Sequence, residues 1–331
     1  RPGGRIETQR NSLSHNTYVE TGARLISNTH FHVINYARQF GLSLRPINSH
    51  ARRKDVYFIN EQRIVFNRGV SRNFPVRLSS SERRFISYFG IQSFLDRSFK
   101  YLFEGVYFSD FVNVAPPRLR SLDDVSLYQQ LRQSGVSPGA ISLIRRGALD
   151  SIGDGIESYS ALSSLRQAFL HQNLRELYAI QGGTDLLASA FADRLAGKIA
   201  YGAEVSKIEN TTQHVTVLFN HGGSAQKLVA DKVICTLPFS VLKANHILSE
   251  ISVQKQTAIE ELNYTSVIRV CLQFTNRFWE DAQLSGQGLT DLPIMFCNDV
   301  TNNQSKRGGI LELFISGPSA RHFQAMNEDT R

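Results

Sequence analysis

The sequence predicts a mixed α/β fold in which two domains are interleaved along one chain. Segments with apolar residues at the three- and four-residue spacing of a helix alternate with short strand-like segments. The strand-like segments recur within residues 56–66, 198–236 and 266–315, with helical stretches between them. The 331 residues, of which 41% are hydrophobic, are enough for about two domains with sizeable cores.

The first half of the chain has one strong helix signal and a mainly helical middle. Residues 30–42 place apolar side chains at helical spacing, and Gly41 stands where such a helix would end. Residues 56–66 contain two strand-like runs around a polar turn. Residues 126–133 and 138–146 predict short amphipathic helices.

The second half opens on the clearest helix of the chain. Thr184 follows two glycines and is a suitable N-cap, Leu187 and Phe191 lie on one helical face, and Gly197 ends the helix. Another helix is predicted over residues 253–262. Strands are predicted at residues 198–201, 203–208, 214–219, 227–229, 232–236, 266–274 and 309–315.

The charge and the cysteines exclude several classes of protein. The net charge of +8 comes from scattered arginines that do not alternate with aromatics on one face, so we expect no nucleic-acid partner. No run of about 18 apolar residues occurs, so no transmembrane helix is predicted. Cys235, Cys271 and Cys297 lie far apart in apolar runs, which predicts buried free thiols and no metal site. Such thiols favour a reducing, cytoplasmic compartment, while secretion stays open.

A glycine turn flanked by arginines opens the chain. Gly3 and Gly4 let the backbone approach a ligand without interference from a Cβ atom. Arg1 and Arg5 supply forked donors for phosphate oxygens. The turn therefore suits a pyrophosphate, and a solvated basic turn without a ligand is the alternative.

Four blocks in a set order give the chain a resemblance to a known family. They are Arg-Pro-Gly-Gly-Arg at residues 1–5, Glu-Thr-Gly-Ala-Arg-Leu-Ile-Ser at residues 20–27, the stretch from Gln-Gly-Gly-Thr-Asp-Leu-Leu to Leu-Pro over residues 181–238, and residues 262–280. On these blocks the chain resembles the FAD-dependent amine oxidases, the family that holds monoamine, polyamine and L-amino-acid oxidases.

The resemblance implies an FAD-binding, Rossmann-like domain interleaved with a substrate domain of mixed sheet and helices. Residues 1–46 and 179–256 would form the FAD-binding domain. Residues 47–178, mostly helical, and residues 257–331 would form the substrate domain. The family's Gly-x-Gly-x-x-Gly turn would precede the first residue, and its last FAD-domain segment would follow the last one. We therefore expect this chain to be a fragment of a longer protein.

The resemblance also assigns residues to the cofactor. The opening glycine turn would face the FAD pyrophosphate, and the segment around Gly22 would pass along the isoalloxazine ring, where a flat ligand needs small residues beside it. Val205 would meet the adenine through its backbone. The full set expected to bind FAD is Arg1, Gly3, Gly4, Arg5, Gly22, Ala23, Arg24, Leu25, Val205, Thr236 and Pro238. Glu20 is expected to be a structural partner.

Arg269 is the expected catalytic position and a departure from the family pattern. In many members this strand position is a lysine that binds a water next to flavin N5 and assists reoxidation by oxygen. An arginine keeps the positive charge there but cannot donate a proton at neutral pH. The alternative is that Arg269 is an inward charge paired with a carboxylate such as Glu312.

The activity implied by the resemblance is the oxidation of a primary or secondary amine, or of an L-amino acid, to an imine. FAD would carry the electrons to O2, and H2O2 would be released. In L-amino-acid oxidases an arginine binds the substrate carboxylate, and ungapped reading places Leu25 there, with Arg24 one residue earlier. On a strand, a shift of one residue reverses the face of a side chain, which favours an amine over an amino acid. A homodimer is compatible with the resemblance.

Two other functions stay open. Desaturases of carotenoid- or porphyrinogen-like substrates share the first glycine block and the Gly-Gly-Thr block, and they would need a long apolar tunnel. A non-catalytic fragment that acts as an interaction module would not retain flavin even with its missing termini restored.

Overall fold

The structure is a computed structural model that describes residues 1–14, 17–47, 54–67, 73–102, 115–147, 153–174, 176–301, 304 and 308–327. The chain divides into two compact units. The smaller comprises Arg1–Gly4 and Ala188–Tyr264, and the larger comprises Arg5–Leu187 and Thr265–Arg331. Both units are therefore discontinuous in sequence. The assignment of chain segments to a cofactor domain and a substrate domain stays a prediction.

Fifteen short strands and ten α-helices are found in the described residues. The strands are β1 (Thr8–Gln9), β2 (Val19–Glu20), β3 (Ile26–Ser27), β4 (Leu44–Pro46), β5 (Lys54–Ile59), β6 (Gln62–Phe66), β7 (Leu177–Ile180), β8 (Glu204–Asn210), β9 (Val215–His221), β10 (Ser224–Ala230), β11 (Leu248–Ser249), β12 (Val267–Phe274), β13 (Leu284–Thr290), β14 (Phe296–Asp299) and β15 (Gly309–Ser316). The helices are α1 (Phe31–Gln39), α2 (Ser80–Ser98), α3 (Leu127–Gln133), α4 (Pro138–Gly147), α5 (Ala161–Asn173), α6 (Asp185–Arg194), α7 (Phe239–Asn245), α8 (Val253–Glu261), α9 (Phe278–Asp281) and α10 (Gly317–Ala325). The predicted mixed α/β class is confirmed.

The larger unit is built on a six-stranded mixed sheet with the order β12-β15-β14-β13-β5-β6. Only the β13–β5 pair is parallel, and the other neighbours are antiparallel. A three-stranded sheet with the order β3-β7-β4 and the β1–β2 pair complete the strands of this unit. Helices α2 to α5 form its main hydrophobic core together with β5 and β6, around fully buried Phe99, Leu143 and Leu165.

The helices of the larger unit begin where the sequence provides caps. Ser79 at the start of α2 accepts a hydrogen bond from the Glu82 backbone N–H, and the Glu82 side chain accepts from the Ser79 backbone N–H, which completes a capping box. Ser126 and Gln129 form the same arrangement at α3. The second carboxylate oxygen of Glu82 accepts from the Ser137 backbone N–H at 2.8 Å, just before α4 begins. One side chain therefore joins the starts of two helices.

The smaller unit carries a four-stranded sheet with the order β10-β9-β8-β11 and a small core around Ile208 and Leu242. The predictions for β8, β9, β10 and α8 are confirmed. The strands predicted at residues 198–201 and 232–236 are wrong, because both segments are irregular. A strand needs a hydrogen-bonded neighbour, and none of the described strands pairs with either segment. Ile234, expected in a buried strand, is 92% exposed.

None of the helices within the described ranges combines the length and the apolar composition that crossing a bilayer requires. Cys235, Cys271 and Cys297 are all free, as predicted. Cys271 and Cys297 are half-buried, whereas Cys235 is exposed because its segment is not a strand. The prediction of a buried thiol at Cys235 is therefore wrong.

Candidate active site

The larger unit contains a cavity of about 1180 Å³. Pockets for drug-sized ligands span about 300–1,000 Å³, so this cavity has room for a cofactor ring and a small substrate together. Its wall combines polar and apolar surface in similar measure and carries four arginines and one carboxylate. The residues that line it are Arg10, Asn11, Thr17, Tyr18, Arg24, Leu25, Ser43, Arg45, Pro46, Ile47, Leu177, Ala179, Ile180, Gln181, Gly182, Arg277, Gln287, Asn298, Asp299, Thr301 and Gln304.

Two of the sequence blocks meet directly beside this cavity. The Ala23 backbone N–H donates to the Arg5 carbonyl oxygen at 3.1 Å, and the Thr21 backbone N–H donates to the Glu7 carbonyl oxygen at 3.0 Å. The end of the arginine–glycine block and the block at residues 20–27 therefore run side by side. This contact places Arg5, Ala23 and their neighbours in one local structure.

Gly22 is required by the approach of these two segments to each other. A Cβ atom at this position would lie 2.5 Å from the Arg5 carbonyl oxygen and 2.8 Å from the Glu7 backbone nitrogen. Real Cβ atoms essentially never come so close to backbone atoms. The family resemblance explained this glycine by a flat cofactor beside the chain. The close approach of the backbone of residues 5–7 is by itself enough to require a glycine at position 22.

Glu20 holds the second block to the third. Its carboxylate accepts hydrogen bonds from the Thr184 backbone N–H at 2.8 Å, from the Thr184 hydroxyl at 3.2 Å and from the Thr8 hydroxyl at 2.8 Å. Burial raises the pKa of Glu20, although these hydrogen bonds favour the charged form. Glu20 is thus a structural partner, as predicted, at the point where the chain turns into α6.

Arg269 joins the six-stranded sheet to the cavity segment. Its Nη1 atom donates to the Gly22 carbonyl oxygen at 2.9 Å and to the Glu20 carbonyl oxygen at 3.3 Å. The same atom lies 3.8 Å from the carboxylate of buried Glu312 on the adjacent strand. The guanidinium carbon also lies 6.0 Å from the centre of the Phe314 ring. The predicted pairing with Glu312 is confirmed, and the catalytic role of Arg269 stays a prediction.

Arg24 and Leu25 line the same cavity, although the sequence predicted opposite faces for them. That prediction assumed a strand, but β3 begins only at Ile26, and the two residues lie in irregular backbone. Strict alternation of faces therefore does not apply. Burial lowers the pKa of the Arg24 guanidinium, Glu312 opposes this change, and Arg269 lowers the pKa further. A cation in this environment gains stability when an anion binds beside it.

The other cavity arginines have different partners. Arg10 makes a bidentate pair with Asp185, with N–O distances of 2.7 and 2.6 Å. Arg277 lies 3.3 Å from Glu280. Arg45 donates from its Nε atom to the side-chain oxygen of Gln181 at 2.7 Å.

The cavity also holds groups that the sequence gave no reason to select. Asp299 accepts hydrogen bonds from the Trp279 indole at 3.0 Å and from the Thr301 backbone N–H at 2.9 Å. The Tyr18 hydroxyl accepts from the Gly182 backbone N–H at 3.2 Å. Arg45 lies in the three-residue strand β4 and belongs to none of the four sequence blocks.

The remaining predicted cofactor residues lie in the smaller unit. Gly3 and Gly4 have φ angles of 117° and 73°, a conformation that favours glycine, and a Cβ atom on Gly4 would meet nothing within 4 Å. Val205 lies in β8 against the small core. Exposed Thr236 precedes Pro238, which stands at the start of α7 and does not end a strand. The roles of these residues and of Arg1 toward FAD stay predictions.

The residues present fit an FAD group. Arg5 of the larger unit is exposed, so its guanidinium is available to phosphate oxygens. Arg24 supplies a positive charge to the cavity that no described residue neutralises by an ion pair. A flavin ring would find hydrogen-bonding side chains and room in the same cavity.

Comparisons with known proteins identify the family of the chain. The model of the flavin containing amine oxidoreductase family matches residues 1–331. YobN of Bacillus subtilis (strain 168) is 30% identical over 100% of this chain and 69% of its own length. The L-amino-acid oxidase of Vipera ammodytes ammodytes is 26% identical over 98% of this chain and 66% of its own length. The chain thus spans about two thirds of these relatives.

A likeness of fold extends to solved structures. The structure of a wild-type putrescine oxidase bound to putrescine gives a TM-score of 0.77 at 20% identity, over 99% of this chain and 71% of that one. Because the family model matches every residue, the chain belongs to the flavin-containing amine oxidoreductase family.

Proposed function

We propose that the protein containing this chain oxidises the C–N bond of a small amine to an imine, with FAD as the cofactor and O2 as the final electron acceptor. When bound, FAD would supply the two-electron chemistry: a hydride equivalent leaves the substrate carbon, a proton leaves the nitrogen, and O2 with these two electrons and two protons becomes H2O2. Water would then hydrolyse the imine to a carbonyl compound and ammonia, or to a carbonyl compound and an amine where the nitrogen carries a second substituent. Family membership and the large cavity with its arginines support this activity.

The residues of this chain would contribute orientation and charge more than acid–base chemistry. Arg269 would hold the segment at Gly22 in place through its two carbonyl contacts. Glu20 would fix the same segment to the start of α6. These contacts would fix the backbone next to Arg24, whose side chain lines the cavity.

The observation that supports a choice of substrate class is the position of Arg24 in the cavity wall. Its guanidinium lines the cavity and has no hydrogen bond or ion pair with another residue of the described ranges. A substrate carboxylate would pair with it through a charge-assisted, bidentate contact. We therefore favour an L-amino acid over a simple amine, which reverses the preference drawn from the sequence.

The alternative of a carotenoid- or porphyrinogen-like substrate has little support. Such a substrate needs a long apolar tunnel, whereas four guanidinium groups and several amide and hydroxyl groups interrupt the apolar surface of this cavity. Burying them against an apolar chain without hydrogen-bond partners would cost several kcal/mol, on the order of 1–3 kcal/mol for each group.

The test is a matched pair of substrates given to the flavin-loaded, full-length protein. L-Leucine and 3-methylbutylamine differ only in the carboxylate. We expect a kcat/KM about 10- to 100-fold higher for L-leucine. This ratio corresponds to the free energy of one hydrogen-bonded contact between charged groups. Arg24→Met should remove most of that difference, and Arg132→Met, at an exposed position on α3, should keep it. Equal efficiency with both substrates would contradict the choice of an amino acid.

A further inference from the structure

Arg45 is, after Arg24, the second arginine of the cavity that has no carboxylate at ion-pair distance among the described residues, and it is exposed. Its side chain lines the cavity from β4, and its Nε atom donates to the Gln181 side-chain oxygen at 2.7 Å. The Gln181 backbone N–H in turn donates to the Ser43 carbonyl oxygen at 2.9 Å. Gln181 is therefore fixed to the neighbouring strand segment, and it orients the guanidinium while leaving its terminal nitrogens for another partner.

The charges around the cavity separate into two groups. Arg10 and Arg277 each have a carboxylate within ion-pair distance, in Asp185 and Glu280. Arg24 and Arg45 have no such carboxylate among the residues described. Asp299 also lines the cavity as a carboxylate, held by hydrogen bonds from Trp279 and Thr301, and among the described residues it lies at ion-pair distance from neither Arg24 nor Arg45.

Two guanidinium groups without an ion-pair partner among the described residues can bind two acidic groups of one ligand. The α-carboxylate of an amino acid satisfies only one of them. The side-chain amides of Gln181, Gln287, Asn298 and Gln304 add polar contacts around the same space, which does not suit a purely apolar side chain.

From this arrangement we infer that Arg45 is a second anion anchor and that the preferred substrate is an L-amino acid whose side chain carries another carboxylate. The inference rests on the proposed function. Arg24 would bind the α-carboxylate, and Arg45, oriented by Gln181, would bind the side-chain carboxylate. Arg45 is thus a specificity-determining residue for the oxidation of dicarboxylic amino acids.

L-Glutamate and L-glutamine test the role of Arg45 directly, because the two substrates have nearly the same shape and differ by one unit of charge. We expect the flavin-loaded, full-length protein to oxidise L-glutamate with a kcat/KM at least about tenfold above that for L-glutamine. Arg45→Gln should lower this ratio about 10- to 100-fold, mainly through KM for L-glutamate. Arg132→Gln makes the same charge change on the exposed face of α3 and should leave the ratio as it is.

A binding measurement that needs no turnover accompanies the kinetics. Calorimetric titration with glutarate and with its monoamide should show tighter binding of the diacid, and Arg45→Gln should abolish the difference. Equal affinity for the two compounds overturns the inference. Loss of flavin from Arg45→Gln, seen as a lower ratio of flavin to protein absorbance, overturns it too, because Arg45 would then serve the cofactor. If L-leucine and L-glutamine reduce the flavin as well as L-glutamate does, the inference fails while the proposed function stands.

Discussion

Replacing Arg269 by methionine should destabilise the protein far more than an ordinary exposed substitution. The change keeps much of the side-chain length but removes the guanidinium. The carbonyl oxygens of Glu20 and Gly22 each lose a donor, at 3.3 and 2.9 Å. Glu312, whose side chain is only 6% exposed, loses the cation that lies 3.8 Å away. A buried carboxylate without its counter-ion is among the most costly consequences of a single substitution.

The size of the effect follows from these contacts. A hydrogen bond that involves a charged group contributes about 1.5–3 kcal/mol, and the longer of the two contributes less. Removing one partner of a buried pair costs about 3–5 kcal/mol, a range that already includes part of the lost bonds. Arg24 remains near Glu312 and offsets some of the charge. We therefore expect Arg269→Met to lower the free energy of unfolding by about 3–4 kcal/mol.

A double-mutant cycle with Glu312→Leu separates the ion pair from the rest. Urea unfolding of the parent, both single variants and the double variant should give a coupling energy of about 1–2 kcal/mol, with the double variant more stable than the sum of the single losses implies. A loss below about 1 kcal/mol for Arg269→Met, with strictly additive single variants, would refute the structural role and leave a role at the flavin as the better account. Arg269→Lys adds a kinetic test: a proton donor at this position should speed flavin reoxidation by O2, measured by stopped flow after anaerobic reduction.

Three further predictions concern other parts of the chain. Glu82→Gln should cost about 1–2 kcal/mol at pH 7 in urea unfolding. Burial raises the pKa of Glu82, but its hydrogen bonds to Ser137 and Ser79 outweigh burial and lower the pKa below its ordinary value. The stabilisation by Glu82 is therefore complete above the pKa of the unfolded state and is lost as the pH falls through the pKa of the folded state. A thiol reagent at pH 8 should modify exposed Cys235 rapidly, whereas burial, with Glu312 adding to it, raises the pKa of Cys271 to about 11 and should delay its reaction until unfolding. Gly22→Ala should lower the thermal midpoint more than Gly202→Ala, because the first Cβ would lie 2.5 Å from backbone, whereas the second would meet nothing within 4 Å and would carry only the strain of a φ of 70°.

The fold was predictable where local signals were strong. The helix over Phe31–Gln39 and the strands Lys54–Ile59 and Gln62–Phe66 follow the spacing of their apolar residues and the turns beside them. The segment at residues 232–236 has an equally apolar sequence but is irregular, since a strand forms only where another strand supplies its hydrogen bonds. Pattern alone cannot reveal a missing neighbour.

The site was predictable in part, and for a different reason. The motifs located Gly22, Arg24 and Arg269, whose contacts join three separate parts of the larger unit. Arg45 and Asp299 could not be predicted as cavity residues from the sequence. Each belongs to no motif, and its position in the cavity wall depends on which strands the topology brings together. The prediction that the side chains of Arg24 and Leu25 point to opposite faces was wrong. Both residues precede β3, and in irregular backbone successive side chains do not alternate between two faces.

The most direct test of the central claim is an anaerobic titration of the flavin-loaded, full-length protein with L-amino acids, followed in the visible flavin band. The account predicts that the band bleaches with substrate, and that admission of air restores it with release of one H2O2 for each imine formed. A protein that retains flavin but is bleached by neither amino acids nor amines would contradict the proposed oxidation.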